Sequence, residues 1–104
     1  MIDEWQYYIE GQARMTVFAS DGVARTFDYQ AGDVGFVPRT MGHYIENIGE
    51  TPVRFLELFN SDRFLDVSLN QWLALLPPKL VKAHLHLNDT MKRALRKEKW
   101  PVVK

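Results

Sequence analysis

Cysteine is absent from this 104-residue chain, which excludes a disulfide framework, a thiolate zinc site and a cysteine nucleophile. Net charge is absent too: 13 basic residues balance 13 acidic ones, so no overall field attracts nucleic acid or an anionic membrane. No apolar run approaches the ~18 residues of a membrane span, and the N-terminus lacks a signal-peptide pattern. We therefore expect a cytoplasmic protein with neither nucleic acid nor membrane as a partner.

The composition that remains is that of a small globular protein, with 46% hydrophobic and 12% aromatic residues. The charge is unevenly distributed: residues 1–76 hold 5 basic and 11 acidic side chains, whereas residues 77–104 hold 8 and 2. The hydrophobic pattern changes near the same point, from short alternating segments to helical spacing. We expect a mainly β unit over residues 1–64 and a helical tail over residues 65–104, packed on the β unit or on a neighbouring subunit.

Short segments separated by turn residues predict about six strands, at residues 5–9, 13–19, 23–29, 34–37, 43–48 and 53–59. The Asp21-Gly22 dipeptide is a hairpin signal, so the second and third strands are expected to pair antiparallel. The last strand is almost continuously apolar, which predicts burial on both faces. Close, regular strand spacing is typical of a β-sandwich or small barrel.

Three short helices are predicted in the tail, beginning near residues 69, 79 and 89. Ser68 and Gln71 have the spacing of a capping box, and Asn88 or Asp89 can cap the third helix. The third helix has a basic face, formed by Lys92, Arg93, Arg96, Lys97 and Lys99. We interpret this face as solvated, or as docked on the acidic β unit of a neighbour, rather than as a nucleic-acid stripe, because no aromatic side chains are interleaved for stacking on bases.

Three residues of the β unit are candidates for chemistry. Alternation places Glu4 on the same strand face as Gln6 and Tyr8, so its carboxylate either points into the barrel or is exposed near the chain end. His43 follows a glycine at a strand start, and both a structural and a functional role stay open. Glu57 interrupts an apolar stripe, where burial disfavours the charged form unless a cation or a metal lies close.

His84 and His86 also raise the question of a metal site, because imidazole pairs are common ligands. On a helix, residues i and i+2 lie about 200° apart and cannot bind one ion, whereas on a strand they can. The pattern here is helical, so we expect a structural or surface role.

Two sequence motifs resemble those of the cupin superfamily. Glu4, six intervening residues and Gly11 resemble the second half of the first cupin motif. The second motif is matched by Gly32, Pro38, His43 and Asn47. The flanking segments, residues 4–9, 13–22 and 66–74, resemble the C-terminal half of bicupin, germin-like oxalate decarboxylases.

This resemblance implies a jelly-roll barrel with manganese held by three histidines and one glutamate. It also implies decarboxylation of a small carboxylate, oxalate, to formate and carbon dioxide with the help of dioxygen. Carried over by position, Glu4 and His43 would be metal ligands, and Glu57 matches an acidic residue beside the metal that is used for proton transfer. A mixed nitrogen and oxygen ligand set suits manganese.

The chain also departs from the family pattern. The His-x-His pair that supplies the other two ligands precedes the glutamate in the family, but here only three residues precede Glu4. The first strands and the arginine that binds the substrate carboxylate are expected to be missing with it, and Phe64 stands where the family has tyrosine. We therefore expect weak manganese binding and an assembly of at least two chains that exchange elements to cover the exposed core.

Two functional hypotheses stay open from the sequence. The first is an oxalate-decarboxylase-like enzyme whose manganese site is completed by another chain or whose true start lies upstream of Met1. The second is a non-catalytic cupin module that binds a small molecule or acts as an assembly partner.

Overall fold

The computed structural model describes residues 2–63 and 66–98. Its contacts divide the chain into two compact units, Met1–Leu65 and Asp66–Lys104. The first unit contains the strands β1 (Glu4–Glu10), β2 (Gln12–Phe18), β3 (Ala24–Gln30), β4 (Val34–Val37), β5 (Gly42–Asn47) and β6 (Arg54–Phe59). The second contains the helices α1 (Leu69–Leu75), α2 (Pro78–Leu85) and α3 (Asp89–Ala94). The prediction of a mainly β protein with three short helices is confirmed.

Two antiparallel three-stranded sheets form the β unit, with strand orders β4-β1-β6 and β3-β2-β5. The β2–β3 hairpin is paired from Gln12↔Gln30 to Phe18↔Ala24. Its turn contains Asp21 at φ 67° and Gly22 at φ 69°, which is the left-handed backbone that an Asp-Gly pair adopts readily. The hairpin prediction is therefore confirmed.

The core of the β unit lies between the facing sides of these sheets. Met15 and Val17 from β2 pack with Val37 from β4. Tyr8 of β1 is fully buried, and its ring stacks on that of Tyr29 at a centroid distance of 4.7 Å. Aromatic and apolar contacts thus join the two sheets.

The outer face of the β4-β1-β6 sheet is also apolar. Trp5 lies between Phe36 of β4 and Leu58 of β6 in the strand register. The large side chains that share this face are 41–58% exposed: Trp5, Tyr7, Ile9, Val34, Phe36, Leu56 and Leu58. The expectation that the last strand is buried on both faces is therefore wrong for the chain by itself, because Leu56 and Leu58 are 54% and 57% exposed.

The helices begin where the capping residues predict. The hydroxyl oxygen of Ser68 accepts the Gln71 backbone N–H at 3.1 Å, and the side-chain oxygen of Asn88 accepts the Met91 N–H at 2.8 Å. The capping box is only half formed, because the side-chain oxygen of Gln71 is buried without a hydrogen-bond partner in the described structure. Among the described residues of the helical unit, Val81 of α2 is the buried apolar one.

Within the described residues, every helix is too short and too polar to cross a membrane.

Candidate metal site

Strand alternation and long-range pairing bring Glu4 and His43 together. Glu4 is the first residue of β1 and lies on the same face as the buried Gln6 and Tyr8. His43 is the second residue of β5 and pairs with Val17 on the core side of the other sheet. Glu4 Oε2 and His43 Nε2 are 3.4 Å apart, and the two side chains keep 13% and 27% of their accessible surface. Of the two alternatives for Glu4, the structure therefore supports the inward-facing carboxylate.

The imidazole of His43 is oriented by the backbone just before it. Nδ1 donates to the carbonyl oxygen of Met41 at 3.2 Å, so Nε2 is the ring nitrogen that faces Glu4. The hydrogen bond to Glu4 raises the pKa of His43 above its ordinary value, although partial burial opposes this. Below this raised pKa, the metal-free pair is an imidazolium against a carboxylate.

Glu4 is held in its ionised form despite its surroundings. Burial by itself raises the pKa of this carboxyl, but hydrogen bonds from His43, Gln6 and Glu57 outweigh that effect and lower the pKa to about 2. Three donors around one carboxylate stabilise its negative charge. Glu4 is therefore ionised at neutral pH and available as an anionic ligand.

Glu57 reaches the same place from β6. The register pairs Gln6 with Glu57 and Glu4 with Phe59, so the two carboxyl groups are diagonal neighbours on one sheet face. The two carboxyl groups are in hydrogen-bond contact, and this contact contributes to the lowered pKa of Glu4. Glu57 is exposed, so the expectation of a carboxylate buried in an apolar stripe is wrong, but the residue does lie beside the candidate ligands.

Sequence reasoning missed the functional relevance of Gln6 and Tyr8. The Tyr8 hydroxyl donates to Gln6 Oε1 at 2.7 Å, and Gln6 Nε2 donates to Glu4 Oε1 at 2.9 Å. The available signal was the alternation itself, which places two polar residues two and four positions after a candidate ligand on an inward face.

Other residues singled out by the sequence belong to the β5–β6 turn or to the helical unit. The side chain of Asn47 bonds the β5–β6 turn, donating to the Thr51 carbonyl at 2.8 Å and accepting from the Gly49 N–H at 3.0 Å. His84 is in the last turn of α2 and His86 is its C-cap, and both are exposed in the helical unit. Phe64 lies outside the described residues.

The donor atoms present fit part of a divalent-metal site. Cis ligand atoms on an octahedral ion with donor distances of about 2.1 Å lie about 3.0 Å apart, close to the 3.4 Å between Glu4 Oε2 and His43 Nε2. One imidazole with carboxylates is a set that suits manganese or iron. The set is incomplete, because the described residues contain no group of three or more His, Cys, Asp or Glu side chains arranged to hold a metal.

Comparison with known proteins gives this geometry a context. The chain is 67% identical over 101 residues to the oxalate decarboxylase OxdC of Bacillus subtilis, covering 97% of this chain and 26% of that protein. It is 46% identical over 102 residues to a probable oxalate decarboxylase of Arthroderma benhamiae, covering 97% of this chain and 25% of the relative. The chain thus spans about a quarter of the length of the relatives that it matches.

Solved structures agree with the sequence comparison. A structure of the Bacillus subtilis oxalate decarboxylase, studied for its Mn(II) centres, superposes with a TM-score of 0.88 at 66% identity, covering 99% of this chain and 27% of that one. The Cupin family model matches residues 1–93. This chain belongs to the cupin family.

Proposed function

We propose that this chain provides part of an oxalate-decarboxylase-like manganese centre, with Glu4 and His43 as ligands and Glu57 as the proton-transfer residue. The observation that carries the proposal is the contact between Glu4 Oε2 and His43 Nε2 at 3.4 Å, with the Glu57 carboxyl hydrogen-bonded to Glu4. The relatives are named as oxalate decarboxylases, and one of their structures was studied for Mn(II) centres. Oxalate is accordingly the substrate that we propose.

Bound manganese would supply a Lewis-acidic, redox-active centre for the substrate carboxylate. The residues of the chain would deliver the proton that the reaction requires. Conversion of oxalate to formate and carbon dioxide breaks the carbon–carbon bond and forms a carbon–hydrogen bond, so a proton must reach the carbon that becomes formate. Glu57 is exposed and its carboxyl contacts that of Glu4, so it is the proton donor that the geometry favours.

As a 104-residue chain by itself, we expect the protein to be poor in metal and without measurable turnover. Two protein ligands hold a divalent ion weakly, since each missing ligand must be replaced by water. A complete site therefore requires ligands in addition to those in the described residues, from whatever polypeptide supplies them.

The experiment measures manganese content and oxalate turnover of the purified chain. We expect well under one manganese per chain and no formate above a no-protein control. Near-stoichiometric manganese would contradict the incomplete ligand set. Formate production that the Glu57→Gln substitution abolishes would show that the chain is an active decarboxylase as it stands.

A second candidate function is a non-catalytic module that assembles with another chain, and the apolar outer face of the β4-β1-β6 sheet favours it. Exposed, contiguous apolar surface on a soluble protein marks an interaction site. We propose that a second copy covers this face in a homodimer or larger assembly. Exchange of strands or helices between copies, docking of the helical tail on a neighbour and a cytoplasmic location stay predictions.

A further inference from the structure

The two oxygens of the Glu4 carboxylate have different partners. Oε2 faces His43 Nε2 at 3.4 Å, whereas Oε1 accepts the Gln6 side-chain N–H at 2.9 Å. A hydrogen bond occupies one of the two lone-pair sites of a carboxylate oxygen and fixes the direction of that oxygen, so the Gln6 bond to Oε1 disfavours binding of an ion through both oxygens. Here only Oε2 faces the imidazole with which it would share the metal.

The orientation of the Gln6 amide is determined by Tyr8. The phenolic O–H donates to Gln6 Oε1 at 2.7 Å, so the amide oxygen is engaged on one side and the NH₂ group faces Glu4 on the other. The reverse orientation would place the amide oxygen against an ionised carboxylate, where both atoms are acceptors. Gln6 and Tyr8 are both 0% exposed, and an unmade hydrogen bond there would carry a full desolvation cost.

The surroundings leave the hydrogen bonds from Tyr8 to Gln6 and from Gln6 to Glu4 little freedom to rearrange. Gly35 pairs with Gln6 in the strand register, and a Cβ atom at Gly35 would lie 3.0 Å from Gln6 Oε1 and 3.3 Å from the Tyr29 ring. The Tyr29 ring stacks on that of Tyr8 with an interplanar angle of 8°. The absence of a side chain at position 35 thus makes room for the amide, while the stacked ring holds the phenol.

We propose that Gln6 and Tyr8 are positioning residues that make Glu4 a ligand through Oε2 alone. Tyr8 orients the Gln6 amide, the amide retains Oε1, and Oε2 is left beside His43 Nε2. The inference rests on the proposed function for the metal itself, because it specifies how a ligand named there is held. It adds Gln6 and Tyr8, which make no contact with the metal, to the proposed site, and it names Oε2 as the oxygen of Glu4 that binds.

The test uses the full 104-residue chain and Mn²⁺ alone, with binding measured from the relaxation of water protons. Tyr8→Phe keeps the stacked ring and removes the hydroxyl, and we expect about a tenfold loss of Mn²⁺ affinity, as for other residues that orient ligands. Tyr29→Phe is the matched control, since it removes a hydroxyl from the same stack without touching the Gln6 bond to Glu4. We expect its affinity to equal that of the original chain.

A double substitution separates positioning from general packing. Gln6→Leu removes the donor to Glu4, and we expect Gln6→Leu combined with Tyr8→Phe to bind no more weakly than Gln6→Leu alone, because Tyr8 acts through Gln6. Additive losses, or unchanged affinity in Tyr8→Phe, would overturn the inference. If neither Glu4→Gln nor His43→Ala changes Mn²⁺ binding, the proposed metal site fails instead.

A measurement on the metal-free chain tests the hydrogen bonds from Tyr8 to Gln6 and from Gln6 to Glu4, even where a variant does not fold. In the unsubstituted chain, NMR should find the Gln6 side-chain amide protons protected from solvent exchange, with the Tyr8 hydroxyl proton visible and close to them. Rapid exchange of that amide and no visible hydroxyl proton would rule out these two hydrogen bonds.

Discussion

The carbonyl oxygen of Met41 lies 3.2 Å from Nδ1 of His43 and thereby directs Nε2 of the ring toward Glu4. This bond is made within a loop in which Thr40 has φ 69°, a left-handed conformation that non-glycine residues rarely adopt. A metal ligand whose second nitrogen donates to a carbonyl has a defined tautomer and ring orientation. The backbone before β5 therefore orients His43 so that Nε2 faces Glu4.

Manganese binding by the chain should strengthen with pH. In the metal-free pair Nε2 carries a proton, and the bond to Glu4 raises the pKa of His43, so the ion must displace that proton. For one released proton the affinity should rise about tenfold per pH unit below this pKa and level off above it. Titrations of Mn²⁺ at several pH values check this. His43→Ala should abolish the dependence and His84→Ala should keep it; a pH-independent affinity would contradict the assignment.

The Glu4–His43 pair should stabilise the metal-free chain most at mildly acid pH. The pKa of Glu4 is lowered from 4.5 to about 2, so its contribution is complete above pH 4.5 and is lost as the pH falls toward 2. The pKa of His43 is raised above 6.5, so its contribution is complete below pH 6.5 and is lost as the pH rises through that raised value. The free energy of unfolding should therefore contain a plateau contribution from this pair between these limits.

Urea unfolding across the pH range measures this contribution. The contribution of Glu4 to the free energy of unfolding is at most about 3 kcal/mol, from the conversion of a pKa shift to free energy. Glu4→Gln should reduce the loss of stability at both ends of this pH range, because it removes the carboxylate and the partner of His43. Glu50→Gln, at an exposed turn position, serves as the control. A Glu4→Gln chain that keeps the original profile would show that the pair does not contribute.

Self-association should depend on the outer face of the β4-β1-β6 sheet. Leu58 is 57% exposed there, so Leu58→Lys should leave the folded chain intact while placing a charge in the proposed interface. Light scattering over a range of concentrations should find at least a dimer for the original chain and a monomer for Leu58→Lys. Val23→Lys, at an exposed apolar residue outside this sheet, should remain associated. A monomeric original chain would refute the homodimer.

Two glycines with left-handed backbone should differ in their tolerance of a side chain. Gly11 and Gly22 have φ of +86° and +69°, but an added Cβ at Gly11 would collide with the Pro52 carbonyl oxygen, whereas at Gly22 it meets nothing. We expect Gly22→Ala to cost about 1 kcal/mol from backbone conformation alone. Gly11→Ala should cost about 2 kcal/mol more from the clash. Thermal unfolding of both variants checks this, and equal costs would contradict it.

Local pattern determined much of the architecture. Alternation along β1 separates Glu4 from Trp5 and assigns each to its face, because successive side chains of a strand point in opposite directions. The Asp21-Gly22 turn and the cap at Ser68 follow from the conformational preferences of single residues. These features depend on neighbours in sequence, so they can be predicted without knowing the fold.

Tertiary structure alone decided which residues meet. Glu57 and Glu4 become neighbours only because β6 pairs with β1 in one register, and a shift by one residue would turn Glu57 to the other face. The same pairing leaves Leu58 exposed, although the composition of its strand predicted burial. The link from Tyr8 through Gln6 to Glu4 requires the buried space opposite Gly35. Sequence spacing determines which face a side chain occupies, but contacts between distant strands depend on pairing register and on how closely the sheets pack.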